Sequence, residues 1–244
     1  MPVELLAVAF DAGEPARLAS FWAAVLGRRI VDEVGGALLP GDTTQVGLRF
    51  TPAATERSGR NRLHLHLTSS SLDHQRRTID TVLALGGRHL DVGQRPEEDH
   101  IVMSDPGGNE FCVIGPGNNF LAGCGFLGEV TCDGTREVGL FWRDALRWPL
   151  VWDRNEQTAI QSPRGGSKLS WDRWTKPTPT KVRTGGPPPA LERDRTPQRF
   201  DLIAPDVAAE VERLVELGAT TVRERHARVE LADPDGNEFT ISFT

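Results

Sequence analysis

The chain contains the same pattern twice. Phe21-Trp22, in PARLASFWAAVLG, returns 120 residues later as Phe141-Trp142 in REVGLFWRDALR. Asp105-Pro-Gly-Gly-Asn-Glu-Phe111 returns 128 residues later as Asp233-Pro-Asp-Gly-Asn-Glu-Phe239. Two matches in one order at nearly one offset divide the 244 residues into two modules, 1–117 and 118–244, joined near the GPGNN segment. Each module divides again. Helix-like stretches end at Leu26, Leu85, Leu146 and Leu217, spaced 59, 61 and 71 residues apart. In the first, Pro15 suits a first helical turn and Gly27 the position just past the end, while Leu18, Phe21, Trp22, Val25 and Leu26 form one apolar stripe. Val138, Phe141, Trp142, Ala145 and Leu146 repeat that stripe. Segments 3–10, 46–50, 62–68, 101–104 and 110–114 are rich in β-formers and bounded by turn residues. The unit is a strand, a helix and about three strands, four times over. Residues 172–197, with six prolines, read as an insertion in the third and longest interval.

Charge and cysteines narrow the classes of function. The 28 basic and 34 acidic residues are scattered, and phosphate binding needs a clustered basic face, so nucleic acid is not an expected partner. No run approaches 18 apolar residues, so no membrane span is expected, and Met-Pro-Val-Glu is no secretory signal. Cys112, Cys124 and Cys132 are odd in number and lack CxxC spacing, which fits the reducing cytoplasm. There is no GxSxG elbow and no Walker-type phosphate loop.

A βαβββ unit taken twice per module, with FW in the helix and DPxGNEF before the last strand, resembles the vicinal oxygen chelate superfamily. This group includes the glyoxalase, bleomycin-resistance and extradiol dioxygenase proteins. The second half, with GEVTCDG, WPLVWD and AIQSP, resembles the glyoxalase-like proteins of high-GC bacteria. The resemblance implies an α+β fold: two glyoxalase-like modules whose curled mixed sheets enclose clefts, with helices outside. Strand periodicity agrees. In Arg62-Leu63-His64-Leu65-His66-Leu67-Thr68 the leucines alternate with polar residues, so Arg62, His64, His66 and Thr68 should face the cleft.

Enzymes of that superfamily chelate a divalent ion with His, Gln or Glu on the first and last strand of each unit. By that resemblance His64 stands in one first-strand slot. The closing-strand glutamate slot, seven residues after the Asp of DPxG, holds Cys112 in one module and Thr240 in the other. The remaining slots fall at Ala7, Gly47, Glu129 (or Leu127), Ser170 and Asp201, so neither module supplies three conventional ligands. A shared cleft bringing His64 and Cys112 opposite Glu129 is the one arrangement that would hold zinc. The expectation is therefore no cofactor and no metal.

The candidate ligand-contacting residues are Arg62, His64, His66, Cys112, Glu129, Trp152, Trp171, Arg199 and Asp201, with His64 and Glu129 as candidate acid and base. Trp152 and Trp171 fall on strands and would suit a planar ligand, the alternative being that they fill the core. The sequence thus points to a monomer or homodimer that binds a small molecule, sequestering or modifying an aromatic metabolite or antibiotic. The alternatives are a metal-dependent lyase or dioxygenase, and a metal-free acid–base isomerase.

Overall fold

The computed structural model describes residues 3–53, 61–93, 98–174, 197–225 and 228–243. The insertion expected over 172–197 lies outside the described residues from 175 to 196. Among the described residues no helix is long and apolar enough to cross a membrane.

Four units follow one another. The first is β1 (Glu4–Ala12), α1 (Pro15–Leu26), β2 (Val31–Glu33), β3 (Gly36–Leu39) and β4 (Gly47–Pro52). The second is β5 (Leu63–Leu67), α2 (Leu72–Ala84), β6 (Arg88–His89), β7 (His100–Ser104) and β8 (Glu110–Ile114). The third is β9 (Leu127–Asp133), α3 (Arg136–Leu146), β10 (Leu150–Arg154), β11 (Gln157–Gln161) and β12 (Lys168–Asp172). The fourth is β13 (Gln198–Ala204), α4 (Val207–Glu216), β14 (Thr220–Arg225), β15 (Arg228–Ala232) and β16 (Glu238–Phe243). The first helix begins at Pro15 and stops at Gly27, whose φ of 65° lets its amide reach Ala23 O. In α3 a non-glycine residue, Arg147, adopts the same left-handed conformation at φ 56°.

The units pair across the modules. One eight-stranded sheet runs β14-β15-β16-β13-β1-β4-β3-β2, joining the first unit to the fourth through antiparallel β1 and β13. The other runs β10-β11-β12-β9-β5-β8-β7-β6, joining the second unit to the third through antiparallel β5 and β9. Within a unit the first and last strands run parallel, as β1 with β4 and β5 with β8. Each cleft is therefore built from both sequence modules.

The two repeated motifs turn out to be halves of one contact, and it lies within a module. Trp22 Nε1 on α1 donates to the Asp105 carboxylate at 3.0 Å. That carboxylate also accepts from the backbone amides of Gly107 and Asn109 and from the Asn109 side chain, each at 2.9–3.1 Å. Trp142 and Asp233 repeat the arrangement at 3.2 Å, with Asp235 and Asn237 as the other donors. Burial pushes both carboxyls above the usual range, against the pull of these donors. The following phenylalanine of each signature packs on the same tryptophan, Phe111 and Phe239 both at 4.9 Å between ring centres. The four units consequently form a ring: sheet pairing joins first to fourth and second to third, and the Trp–Asp contacts join first to second and third to fourth.

Candidate functional site

The inward face of the second sheet carries the sequence-selected histidines. Leu63, Leu65 and Leu67 are buried, which turns His64 and His66 to the opposite face. Cross-strand pairing then sets which residues meet. Lys168 pairs with Glu129, Glu129 with His66, and His66 with Cys112, a single row through β12, β9, β5 and β8. His64 lies in the next row with Thr131 and Ser170. The chelate-slot row therefore runs through His66 and Lys168 rather than through His64 and Ser170. Both alternatives share a face with the slot they were given, and periodicity along one strand does not distinguish residues two apart.

His66 Nδ1 lies 2.8 Å from Glu129 Oε2. Burial alone would lower the imidazole, but Cys112 and Glu129 beside it push His66 up to about 10. Burial would likewise raise Glu129, yet the His66 hydrogen bond, the Ser170 hydroxyl and the Lys168 charge hold it below the ordinary glutamate range. The row thus carries a buried imidazolium–carboxylate pair at neutral pH. Over it lies the segment between the modules. A half-open cavity of about 230 Å³ is lined by His66, Glu129 and Ile114, by Asn118, Phe120 and Leu121 of that segment, and by Asp99 and His100. Lys168 Nζ donates to the Phe120 carbonyl and sits 4.2 Å from the Phe120 ring centre. Trp152 meets Phe120 edge to face at 5.7 Å and carries Arg154 over its own ring at 5.1 Å.

The other expected residues divide. His64 Nε2 approaches Glu110 at 3.0 Å and its ring lies 4.3 Å from Trp174, away from the cavity. Arg62 pairs with Asp133 at 3.8 Å. Trp171, expected at the cleft, is 1% exposed and stacks on Trp142 at 6.5 Å, so it belongs to the core. The alternation in Lys-Leu-Ser-Trp-Asp, with Leu169 and Trp171 on one face, carries that signal. Phe120, Asn118 and Leu121 escaped the sequence because a segment between strands has no periodicity to read.

Arg199 and Asp201 lie in the first sheet, apart from His66. Asp201 is 1% exposed and takes Arg49 Nη1 at 2.7 Å, Arg228 Nη2 at 3.3 Å and the Thr240 hydroxyl, with Arg199 Nε at 3.6 Å. Arg49 forks onto Glu33 at 2.9 and 3.0 Å, and Arg199 reaches Asp11 at 2.7 Å. Three guanidinium groups and three carboxylates neutralise one another across β1, β4, β13 and their neighbours.

Neither row suits the divalent ion that the superfamily resemblance implies. In the first sheet the corresponding positions are Ala7, Gly47, Asp201 and Thr240. Two have no side-chain donor, and Asp201 is ringed by arginine. In the second sheet Glu129 is engaged by His66, Ser170 and Lys168, and the fourth position is a lysine. Among the described residues no three His, Cys, Asp or Glu side chains form a metal-binding group.

Comparison with known proteins follows the same lines. The family model of the glyoxalase-like domain matches residues 7–114 and again 129–242. Glyoxalase I from Zea mays superposes with a TM-score of 0.65 at 12% identity, over 99% of this chain and 92% of that one. A putative dioxygenase from Bacillus subtilis does so with 0.56 at 14% identity, over 98% and 84%. At such identities the likeness is one of fold. No curated protein matches the chain. With its family model matched twice over most of its length, the chain belongs to the glyoxalase-like domain family.

Proposed function

We propose that the protein binds a small, partly aromatic molecule in the second-sheet cleft, without a divalent metal, and so sequesters or modifies a metabolite or antibiotic in the cytoplasm as a monomer or homodimer. The observation that carries this reading is the cavity of about 230 Å³ between the His66–Glu129 pair and Phe120. The cavity joins an apolar wall of Ile114, Phe120 and Leu121 to five polar or charged residues, and convergent polar groups are what orient a bound ligand. Phe120, backed by Trp152, supplies flat contact area, while the imidazolium–carboxylate pair fixes orientation through charge-assisted hydrogen bonds. The first-sheet face, by contrast, has its charges matched internally. One observation also favours a metal-free acid–base activity: His66 and Glu129 are in hydrogen-bond contact, so that pair takes the role first given to His64 and Glu129.

A set of aromatic fragments, screened by saturation-transfer NMR against protein purified without an affinity tag, tests the assignment. Fragments that bind wild type should lose affinity by roughly tenfold or more in Phe120→Ala and His66→Gln, the scale of one lost stacking or charged contact. Fragment binding unchanged by both variants would overturn the site. Stoichiometric zinc, manganese, iron or nickel in the untagged protein, lost in His66→Gln, would overturn the metal-free reading.

A further inference from the structure

The geometry points to Cys112, His66 and Glu129 as a nucleophilic Cys–His–Glu site that takes small carbon electrophiles of the α,β-unsaturated carbonyl class. The inference rests on the cleft being the binding site and adds a reaction to it. Glu129, His66 and Cys112 stand side by side on β9, β5 and β8 in one row, and His66 Nδ1 is held by Glu129 at 2.8 Å. With Nδ1 so engaged, Nε2 is the ring nitrogen left for the sulfur. A carboxylate that orients an imidazole, with the imidazole facing a thiol, is the general arrangement that activates cysteine. Cys112 also adjoins the cavity. Three of its neighbours, His66, Ile114 and Leu121, line that space, and Ile114 and Leu121 share an apolar cluster with the thiol. The other two cysteines lack such a partner. All three thiols are buried; burial pushes Cys124 up against the pull of the Lys168 charge, and pushes Cys132 up with three carboxylates adding to it.

The step conserves atoms and electrons. The Cys112 sulfur bonds to the β-carbon of the conjugated carbonyl, and the carbon–carbon π pair shifts toward the α-carbon and carbonyl oxygen. The proton that left the thiol, carried by His66, ends on the α-carbon. One S–H bond and one π bond give one S–C and one C–H bond, and nothing is oxidised or reduced. Cys112 is the nucleophile, His66 carries the proton and Glu129 is a positioning residue. A cavity of about 230 Å³ restricts the partner to a compact molecule.

N-ethylmaleimide is a probe of this class. Native protein treated with a limiting amount at neutral pH, then digested and mapped by mass spectrometry, reports the rate at each cysteine. Cys112, itself 6% exposed, should react at least about tenfold faster than Cys124 or Cys132, as expected of a thiol paired across strands with a histidine. Glu129→Gln, close in shape, should slow Cys112 and move the midpoint of its pH–rate profile upward, while His66→Gln should slow it with no such midpoint retained. If Cys112 reacts no faster than the other two, the inference fails. It also fails if preferential labelling persists unchanged in both variants, since exposure alone would then explain it. Fragment binding that survives in Cys112→Ser while wild-type Cys112 stays inert would remove the nucleophile and leave the binding site standing. Loss of fragment binding at the cleft altogether would instead remove the reading beneath it.

Discussion

Asp201→Asn separates a structural role from a ligand-binding one. Asp201 is 2% exposed in its side chain and receives two arginines and a threonine hydroxyl, with a third arginine at 3.6 Å. Arg49 and Arg199, at 16% and 8% side-chain exposure, have little water to turn to once the carboxylate is gone. Breaking a buried pair by removing one partner costs about 3–5 kcal/mol, because the remaining charge stays desolvated. Asparagine keeps one carbonyl oxygen for Arg49 or Thr240, which places Asp201→Asn near the lower end, about 3 kcal/mol, and Asp201→Ala near the upper, about 5 kcal/mol. For a chain of this length these values correspond to a fall in Tm of roughly 6–20 °C. Urea denaturation followed by tryptophan fluorescence, with both variants in parallel, measures the loss and its order. Fragment binding at the second sheet, read at a temperature where both variants are folded, should be unchanged. A loss below about 1 kcal/mol, or weakened binding in a variant of undiminished stability, would refute the reasoning and return Asp201 to the list of ligand contacts.

Two aromatic substitutions should part in the opposite way. Trp171→Ala removes a buried ring stacked on Trp142 and should cost about 3–5 kcal/mol in chemical denaturation, whereas Phe120→Ala should change stability far less and binding far more. Trp22→Phe keeps an aromatic ring but takes the indole donor from Asp105 Oδ2, which retains only Asn109 Nδ2, for a loss of about 1–2 kcal/mol by calorimetry. The His66–Glu129 pair also has a signature in pH. Because folded His66 is raised from 6.5 to about 10, its contribution is full below pH 6.5, declines between 6.5 and 10 and is gone above, so the stability gap between wild type and His66→Gln should narrow across that window. A gap independent of pH there would show that His66 is not held as a cation.

Much of the architecture was legible because it is written in short-range pattern. The FW stripe, the DPxGNEF turn and the alternation of leucine with histidine each act within a few residues, where helical and strand periods govern. What those signals omit is pairing. His64 and His66 are equivalent by alternation, and only the register of β5 against β9 and β8 puts His66 beside Glu129 and Cys112. The same gap explains Arg199 and Asp201, which match the second-sheet positions in sequence yet lie in the other sheet. Trp171 was readable from its own strand, and the attraction of tryptophan as a ligand platform obscured it. Phe120 was not readable, since its role comes from where the segment between modules is laid down.

The closed circuit of units changes what a cut in the chain can do. A linear array loses its last member when one joint opens, but a circuit with one joint opened is still connected through the other three. Cleavage of the peptide chain anywhere between residues 175 and 196 would leave the fourth unit held on one side by the β1–β13 ladder and on the other by Trp142 on Asp233. The two fragments should then migrate together under native conditions and separate only in denaturant. The same circuit denies independence to either half. A fragment ending near residue 117 keeps Trp22 on Asp105 but leaves β1 and β5 without the strands they pair with, β13 and β9. Exposed strand edges of that kind seek another copy. The natural companion is a second identical half, so the isolated first module should be recovered as a pair or not folded at all.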